Sequence, residues 1–292
     1  MEKEKLWTKD FISVTTISFF IFLAFYILLT ALPLYLVGTL HTGAVQVGLM
    51  LTLFLIPAIL VRPLAGQWVS KFSQKKLLVY SAGLFFIATL FYPFATNIWA
   101  LFALRIFHGI TFGIITTVKG TICAELIPVS RRGEGLSYFS MTMILAMVFG
   151  PFIGLNLGNI NAYNLAFVIC MAISAINIVF AVLMKEPQHS VEDKHLSKKQ
   201  PFSFNDIIDK KAAPFALATF LLAFAYSGVS AFLSLYAKNL GLVSAASYFF
   251  IAYAVFILIF RLFTGRWSDK FGPKIIVYPS IVVFAIGLYL LS

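Results

Sequence analysis

Residues 62–75 read RPLAGQWVSKFSQK, and residues 261–274 read RLFTGRWSDKFGPK. The two stretches lie 199 positions apart and share an Arg, a Gly, a Trp, a Phe and two Lys at equivalent places. Each follows one long apolar segment and precedes another, so each copy occupies a loop between two hydrophobic segments. Weak internal similarity of this kind indicates that the chain is built from two related halves.

The segments around the repeat are too apolar for a water-soluble protein. Of the 292 residues, 61% are hydrophobic and 11% are charged, against about 45–50% and about 25% in soluble domains. A helix needs about 20 apolar residues to cross a bilayer. The sequence therefore predicts an all-α, polytopic membrane helix bundle and argues against an enzyme. The nine predicted transmembrane helices cover residues 11–37, 44–69, 77–95, 98–122, 136–158, 163–184, 212–237, 244–265 and 275–291.

The repeat and the apolar segments together predict the domain organisation. Residues 1–184 hold six predicted helices and form a complete N-terminal six-helix bundle. Residues 185–211 are polar and form a cytoplasmic linker. Residues 212–292 hold the first three helices of a C-terminal bundle, so we expect the second half to be partial.

Basic residues decide the predicted orientation. Lys and Arg number 22 against 11 Asp and Glu, a formal net charge of +11. They form short clusters between apolar segments, which argues against a nucleic-acid partner. Nearly all of these clusters fall on one side of the predicted membrane, so we expect a multi-pass protein of the cell membrane with its N-terminus in the cytoplasm. The 2 cysteines lie in apolar segments and form no metal or disulfide pattern, so no metal or cofactor is expected.

The second copy of the repeat carries the pattern G-x-x-x-D-[KR]-x-G-x-[KR] between two predicted helices. This pattern resembles the loop motif of the major facilitator superfamily, whereas the first copy has Ser70 in place of the Asp and Ser73 in place of the second Gly. The resemblance implies two loops that latch the halves together and release them as the halves rock; anchoring by positive charge is the alternative. The residues assigned to the gating loops are Arg62, Gly66, Lys71, Lys75, Arg261, Gly265, Asp269, Lys270, Gly272 and Lys274.

Two helix motifs extend the resemblance. The fourth predicted helix has Arg105 followed by two glycines at intervals of four, similar to the helix-4 motif of the superfamily. The fifth carries Gly150, Pro151 and Gly154, which resemble the motif that marks exporters of the family; a proline kink of the kind found in many transmembrane helices is the alternative. Members of the family have twelve helices, so the resemblance implies that this sequence stops after nine of them.

The fourth predicted helix also carries the side chains whose placement in a membrane costs the most free energy. Arg105, His108 and Lys119 fall on one stripe of the helix, where an unpaired charge facing lipid costs about 2.5 to 17 kcal/mol. We expect these residues to contact substrate or to couple transport to an ion. Alternatives remain open for two of them: Lys119 can reach the interface with its long side chain, and His108 can be a packing residue rather than a proton site.

Tyrosines at mid-membrane depth complete the predicted substrate site. Tyr26 on the first helix, Tyr226 on the seventh and Tyr253 on the eighth offer hydroxyl groups to a solute. No phosphate-binding loop is present, which favours a transporter driven by a gradient over one driven by ATP.

These features and the family resemblance predict a secondary active transporter that exports small organic solutes by alternating access. Exchange for protons is implied by the resemblance alone, because no carboxylate lies within the predicted membrane helices. Drug-like amphiphiles are the first expected substrate class, and opine-like or metallophore-like zwitterions are the second. The alternatives are an importer of sugars or organic anions, or a truncated chain without transport activity. We expect it to act as a monomer in the lipid bilayer.

Overall fold

A computed structural model describes residues 5–185, 212–239 and 243–291. All regular structure in these ranges is helical. Ten α-helices are present there: α1 Lys9–Gly38, α2 Ala44–Leu60, α3 Arg62–Lys71, α4 Gln74–Leu90, α5 Ile98–Leu126, α6 Arg132–Asn159, α7 Tyr163–Leu183, α8 Ala213–Asn239, α9 Val243–Phe271 and α10 Lys274–Leu291. Short 3₁₀ turns at Tyr92–Phe94 and Val129–Arg131 precede α5 and α6.

Six helical spans in the described part are long and apolar enough to cross a membrane. They agree with the first six predicted transmembrane helices, and the membrane-helix bundle predicted from composition is confirmed. The count of nine stays a prediction, because the further apolar stretches found among the described residues, Ala213–Tyr226 in α8 and Lys274–Leu290 in α10, are shorter. The predicted linker at 185–211 lies outside the described residues except for Lys185.

The second span differs from the expected single helix. It breaks at Val61, where α2 ends and α3 begins with Pro63 in its first turn. Proline has no backbone N–H and fits the first turn of a helix, so Pro63 favours a new start there. The break separates the apolar part of this span from Arg62 and the first loop copy.

The described residues fall into two compact units, residues 1–195 with 260–292 and residues 196–259. The predicted boundaries at 184 and 212 stay a prediction. Within the first unit α1 and α5 are the most buried of the membrane-spanning helices. Helix α1 packs against α5, α6 and α7, and α5 also packs against α2, α3 and α4. Polar side chains on α1 and α5 therefore face protein.

Glycines allow α5 to approach α2 closely. A Cβ atom at Gly109 would overlap the carbonyl oxygen of Phe54, and one at Gly113 would overlap that of Ala58. Small residues at a helix interface let the backbones come together and increase van der Waals contact. This close approach brings the Phe54 ring next to the polar side chains of α5.

We predict that Gly109→Ala lowers the melting temperature of the detergent-purified protein, because the new methyl group forces α5 away from α2. Overpacking of this kind costs about 1–3 kcal/mol. Gly120→Ala on the same helix is the matched control, since nothing lies within 4 Å of a Cβ there. Alanine is the better helix former, so the control should melt at the same or a higher temperature. Equal melting of both variants would contradict the α2–α5 contact.

Candidate functional site

Helix α5 carries three buried polar side chains along its length. The helix begins after Asn97, whose side chain accepts a hydrogen bond from the backbone N–H of Ala100 at 2.9 Å. Arg105 and His108 are fully buried, and Lys119 is 2% exposed. Lys119 therefore does not extend to the membrane surface in this structure. The three side chains form two separate groups, because Lys119 lies three turns beyond His108.

The first group joins Arg105 and His108 through Tyr92. The Arg105 guanidinium donates from Nη1 to the Tyr92 hydroxyl at 3.2 Å, and that hydroxyl lies 2.8 Å from His108 Nδ1. A hydroxyl both accepts and donates, so Tyr92 can accept from the guanidinium and donate to an unprotonated Nδ1. Tyr92 was not predicted as a site residue. It lies in the 3₁₀ turn before α5, and only its position at the end of an apolar run marks it in the sequence.

Aromatic rings enclose this first group. The Arg105 Cζ atom lies 4.2 Å from the centre of the Phe54 ring, within the range of a cation–π interaction. The rings of Phe54 and Phe85 contact the His108 imidazole with centroid distances of 5.4 and 4.5 Å. Among the described residues, Arg105 Nε and Nη2 and His108 Nε2 have no hydrogen-bond partner. Buried donors of this kind are rare in proteins and are available to a ligand or water.

The second group surrounds Lys119 where α1, α5 and α6 meet. Its ammonium donates to the Ser18 hydroxyl of α1 at 2.8 Å. It also lies 4.8 Å from the ring centre of Phe22 on α1 and 4.6 Å from that of Phe139 on α6. Sequence reasoning missed these three partners, since a serine and two phenylalanines in apolar helices carry no signal of their own.

The second loop copy binds the start of α6. The Asp269 carboxylate accepts hydrogen bonds from the backbone N–H groups of Gly133 at 2.6 Å and Glu134 at 2.9 Å. The first N–H groups of a helix have no partner within the helix, and the helix dipole favours a negative charge there. Gly265 packs onto the same turn, since a Cβ on it would lie 2.6 Å from the Gly133 carbonyl oxygen.

An ion-pair network flanks this contact. Arg266 donates from Nε to Glu134 at 3.0 Å and from Nη2 to the Tyr138 hydroxyl at 3.0 Å. Arg131 pairs with the other Glu134 oxygen at 2.8 Å. The Tyr138 ring also lies 4.9 Å from that of Trp7, just before α1. Helix α6 is thus linked to α9 and to the N-terminal segment at the same point.

The other predicted gating residues have varied surroundings. Gly272 has a φ of +82° and forms the turn after α9 that only glycine adopts without strain. Lys270 places its ammonium 5.0 Å from the ring centre of Phe271. The rest lie in the helices on either side of the loops: Arg261 in α9, Lys274 at the start of α10, Arg62, Gly66 and Lys71 in α3, and Lys75 in α4.

The first loop copy does not reproduce the capping contact of the second. Ser70, at the position of Asp269, donates its hydroxyl to the carbonyl oxygen of Gln67 in its own helix at 2.8 Å. Gly66 has nothing within 4 Å of a Cβ position. The departure of this copy from the family pattern thus coincides with a different local structure.

The glycine–proline motif of α6 faces α1. A Cβ at Gly150 would overlap the side chain of Tyr26, and one at Gly154 would lie 2.6 Å from the carbonyl oxygen of Ile27. Pro151 lies inside α6 between these two contacts. The motif therefore lets α6 pack against α1 at the depth of Tyr26.

In the second unit, the rings of Tyr226 and Tyr253 stack with their centres 5.4 Å apart.

Comparison with known proteins places this arrangement in a family. The profile described as Major Facilitator Superfamily matches residues 14–292. Multidrug resistance protein 2 of Bacillus subtilis is 23% identical over 287 residues, which cover 94% of this chain and 71% of the relative. The staphylopine export protein of Staphylococcus aureus is 22% identical over 255 residues, which cover 82% of this chain and 63% of the relative.

The fold is also that of a solved transporter. The crystal structure of the human organic anion transporter MFSD10 (TETRAN) superposes with a TM-score of 0.63 at 15% identity, over 92% of this chain and 72% of that one. The chain spans between 51% and 71% of the length of the first curated relatives it matches. Because the family profile covers nearly the whole sequence, the chain belongs to the Major Facilitator Superfamily, whose members are membrane transporters of small molecules and not enzymes.

Proposed function

We propose that this chain is a secondary active exporter of small organic solutes, with its N-terminus in the cytoplasm and protons as the coupling ion. The observation that carries the proposal is the pair of hydrogen bonds from the Gly133 and Glu134 amides to Asp269. They join the second copy of the repeated loop to a helix of the first six. A contact of this kind holds the two repeats together on the side of the basic loops.

The strength of this contact suits a gate. A carboxylate at a helix N-terminus contributes about 0.3–2 kcal/mol, depending on its exposure. That is enough to change the ratio of two conformations by a factor of about 2 to 30, and small enough to break in every cycle. Arg266 adds a second interaction that breaks with the first, because it bonds Glu134 on the same turn of α6.

Two observations support export rather than import. In the Gly150–Pro151–Gly154 motif, the two glycines let α6 pack closely against α1, so the motif does more than bend the helix. The relatives include multidrug resistance proteins and a staphylopine exporter by name.

The environment of Arg105 favours a solute with an anionic group. Two guanidinium nitrogens are without hydrogen-bond partners among the described residues, and residues 11–124 contain no Asp or Glu. A carboxylate of the solute would pair with this buried cation, as guanidinium groups bind carboxylates in two parallel hydrogen bonds. Opine-like zwitterions satisfy this requirement, and the surrounding rings of Phe54 and Phe85 also suit drug-like amphiphiles.

The function is tested in inside-out vesicles that contain this chain under an imposed proton gradient. Gradient-driven uptake of solutes from a panel of fluorescent cations, zwitterions and metal chelators corresponds to export from cells and supports the proposal. Gradient-driven uptake of sugars or organic anions in right-side-out vesicles supports the importer alternative. No movement in either orientation supports a chain without transport activity.

We predict that Arg105→Lys reduces transport of carboxylate-bearing solutes by about tenfold or more, because an ammonium cannot replace a bidentate guanidinium. Solutes without an anionic group should be affected less. The measurement is the initial rate of uptake into the same vesicles, with the exposed Arg132→Lys as the matched control. Equal losses for both solute classes would argue against an anion-binding role.

We also predict that Asp269→Asn shifts the protein toward the conformation open on the side of the basic loops. The amide keeps the shape but removes the negative charge that complements the α6 dipole. Spin labels at the exposed positions Val129 and Tyr278, which flank the contact along the chain, would report a longer distance population. Ser70→Ala in the first loop copy is the control and should leave the distances unchanged.

A further inference from the structure

Lys119 is a buried basic side chain that has no carboxylate against it in the part of the chain that the structure describes. Among those residues its ammonium has one hydrogen-bond acceptor, the Ser18 hydroxyl at 2.8 Å, and two aromatic faces, Phe22 and Phe139. The side chain is 2% exposed. Charges buried in proteins are normally paired with an opposite charge, because desolvation alone costs several kcal/mol per ion. Lys119 is therefore an exception that requires a reason.

Carboxylates are absent from the spans that surround it. Residues 11–124 and 135–185 contain no Asp or Glu. The two acids between these ranges have other partners: Glu125 accepts from Gln74 at 2.6 Å, and Glu134 pairs with Arg131 and Arg266.

The ionisable groups that act on Lys119 come from the packed helices. Helix α5 contributes the Cys123 thiol, which is fully buried one turn beyond Lys119, and α3 contributes the guanidinium of Arg62. Helix α1 contributes Ser18 and Phe22, and its acid, Asp10, accepts from the backbone N–H of Lys185 at 2.9 Å. Helix α6 contributes Phe139, while its Tyr138 hydroxyl accepts from Arg266. None of these groups is an anion held against the ammonium.

The Ser18 hydroxyl fits both protonation states of the lysine. A hydroxyl oxygen accepts a hydrogen bond from an ammonium, and after rotation its O–H donates to the lone pair of a neutral amine. The two rings stabilise the charged form, whereas burial favours the neutral form. These opposing effects leave neither form fixed. A carboxylate partner would instead hold the ammonium permanently, and Arg105 is charged in every state.

We infer that Lys119 carries the coupling proton of the export cycle, on an amine rather than on a carboxylate. In loading, the neutral amine forms an N–H bond with a proton from water that reaches it in one conformation. In release, that N–H bond breaks, the proton passes to water on the other side, and the lone pair accepts from Ser18. The part of this inference that concerns the transport cycle rests on the proposed function. The gain and loss of a proton by Lys119 does not depend on it.

The test compares Lys119→Arg, which stays charged, with Lys119→Gln, which stays neutral. Both variants should abolish proton release on solute binding to the purified protein, because neither changes charge. Both should retain solute counterflow in vesicles without a gradient, a reaction that needs no net proton movement. Lys185→Arg and Lys185→Gln, at an exposed lysine after α7, are the matched controls and should behave like the original chain. Proton release that persists in either Lys119 variant overturns the inference.

A second pair of variants separates proton carrying from packing. Ser18→Ala should shift the pH profile of gradient-driven transport, since the hydroxyl serves both forms of the lysine. Ser18→Thr keeps a hydroxyl and should restore the profile. A purely structural role for Lys119 predicts lower stability in Ser18→Ala with an unchanged pH profile, and that result would overturn the inference.

Direct titration keeps the inference independent of transport. In protein labelled with ¹³C-lysine, the Cε resonance that disappears in Lys119→Arg identifies Lys119. This resonance should shift with pH across the range in which solute binding releases protons, or, if no solute binds, within the pH range in which the protein stays folded. A resonance that does not move there overturns the inference. Absence of counterflow in the original chain, with the resonance titrating, overturns the proposed function and leaves the proton site in place.

Discussion

The constraint on which the bundle depends is that the polar side chains of α5 cannot face hydrocarbon. A charge exposed to lipid costs about 2.5 to 17 kcal/mol. Helix α5 is therefore enclosed by α1 to α4 and α6, and the glycines that face Phe54 and Ala58 let α2 cover it closely. The same enclosure removes water from Arg105, His108 and Lys119.

Residues 11–124 and 135–185 contain no Asp or Glu, so the buried basic side chains of α5 have no carboxylate partner among the residues that the structure describes. The counterparts of the two buried cations are hydroxyls and aromatic rings: Tyr92 and Phe54 for Arg105, Ser18 with two phenylalanines for Lys119. These neutral partners stabilise a cation less than an anionic partner would. Arg105 keeps donors free for a ligand, and Lys119 keeps access to its neutral form. This difference between Arg105 and Lys119 follows from the chemistry of a guanidinium and an amine and not from the depth of the two side chains.

Much of the fold was predictable from the sequence, because span length and basic loops report directly on the membrane. The first six spans and the family followed from residues that are local in the chain. Contacts between helices were not predictable: Tyr92 meets Arg105 only because a turn folds back onto α5, and Ser18 meets Lys119 across 101 positions. The Asp269 motif indicated a latch, but nothing local identified the first amides of α6 as its partner. The break at Val61 was missed because the apolar pattern continues through it.

The contact between Trp7 and Tyr138 connects the segment before α1 to the turn of α6 that Asp269 caps. Tyr138 receives a hydrogen bond from Arg266, and Arg266 also bonds Glu134, so the indole, the phenol and the guanidinium form a series that ends at the turn capped by Asp269. A change at Trp7 therefore alters the packing of the Tyr138 ring, and through Arg266 it reaches the turn of α6 that Asp269 caps.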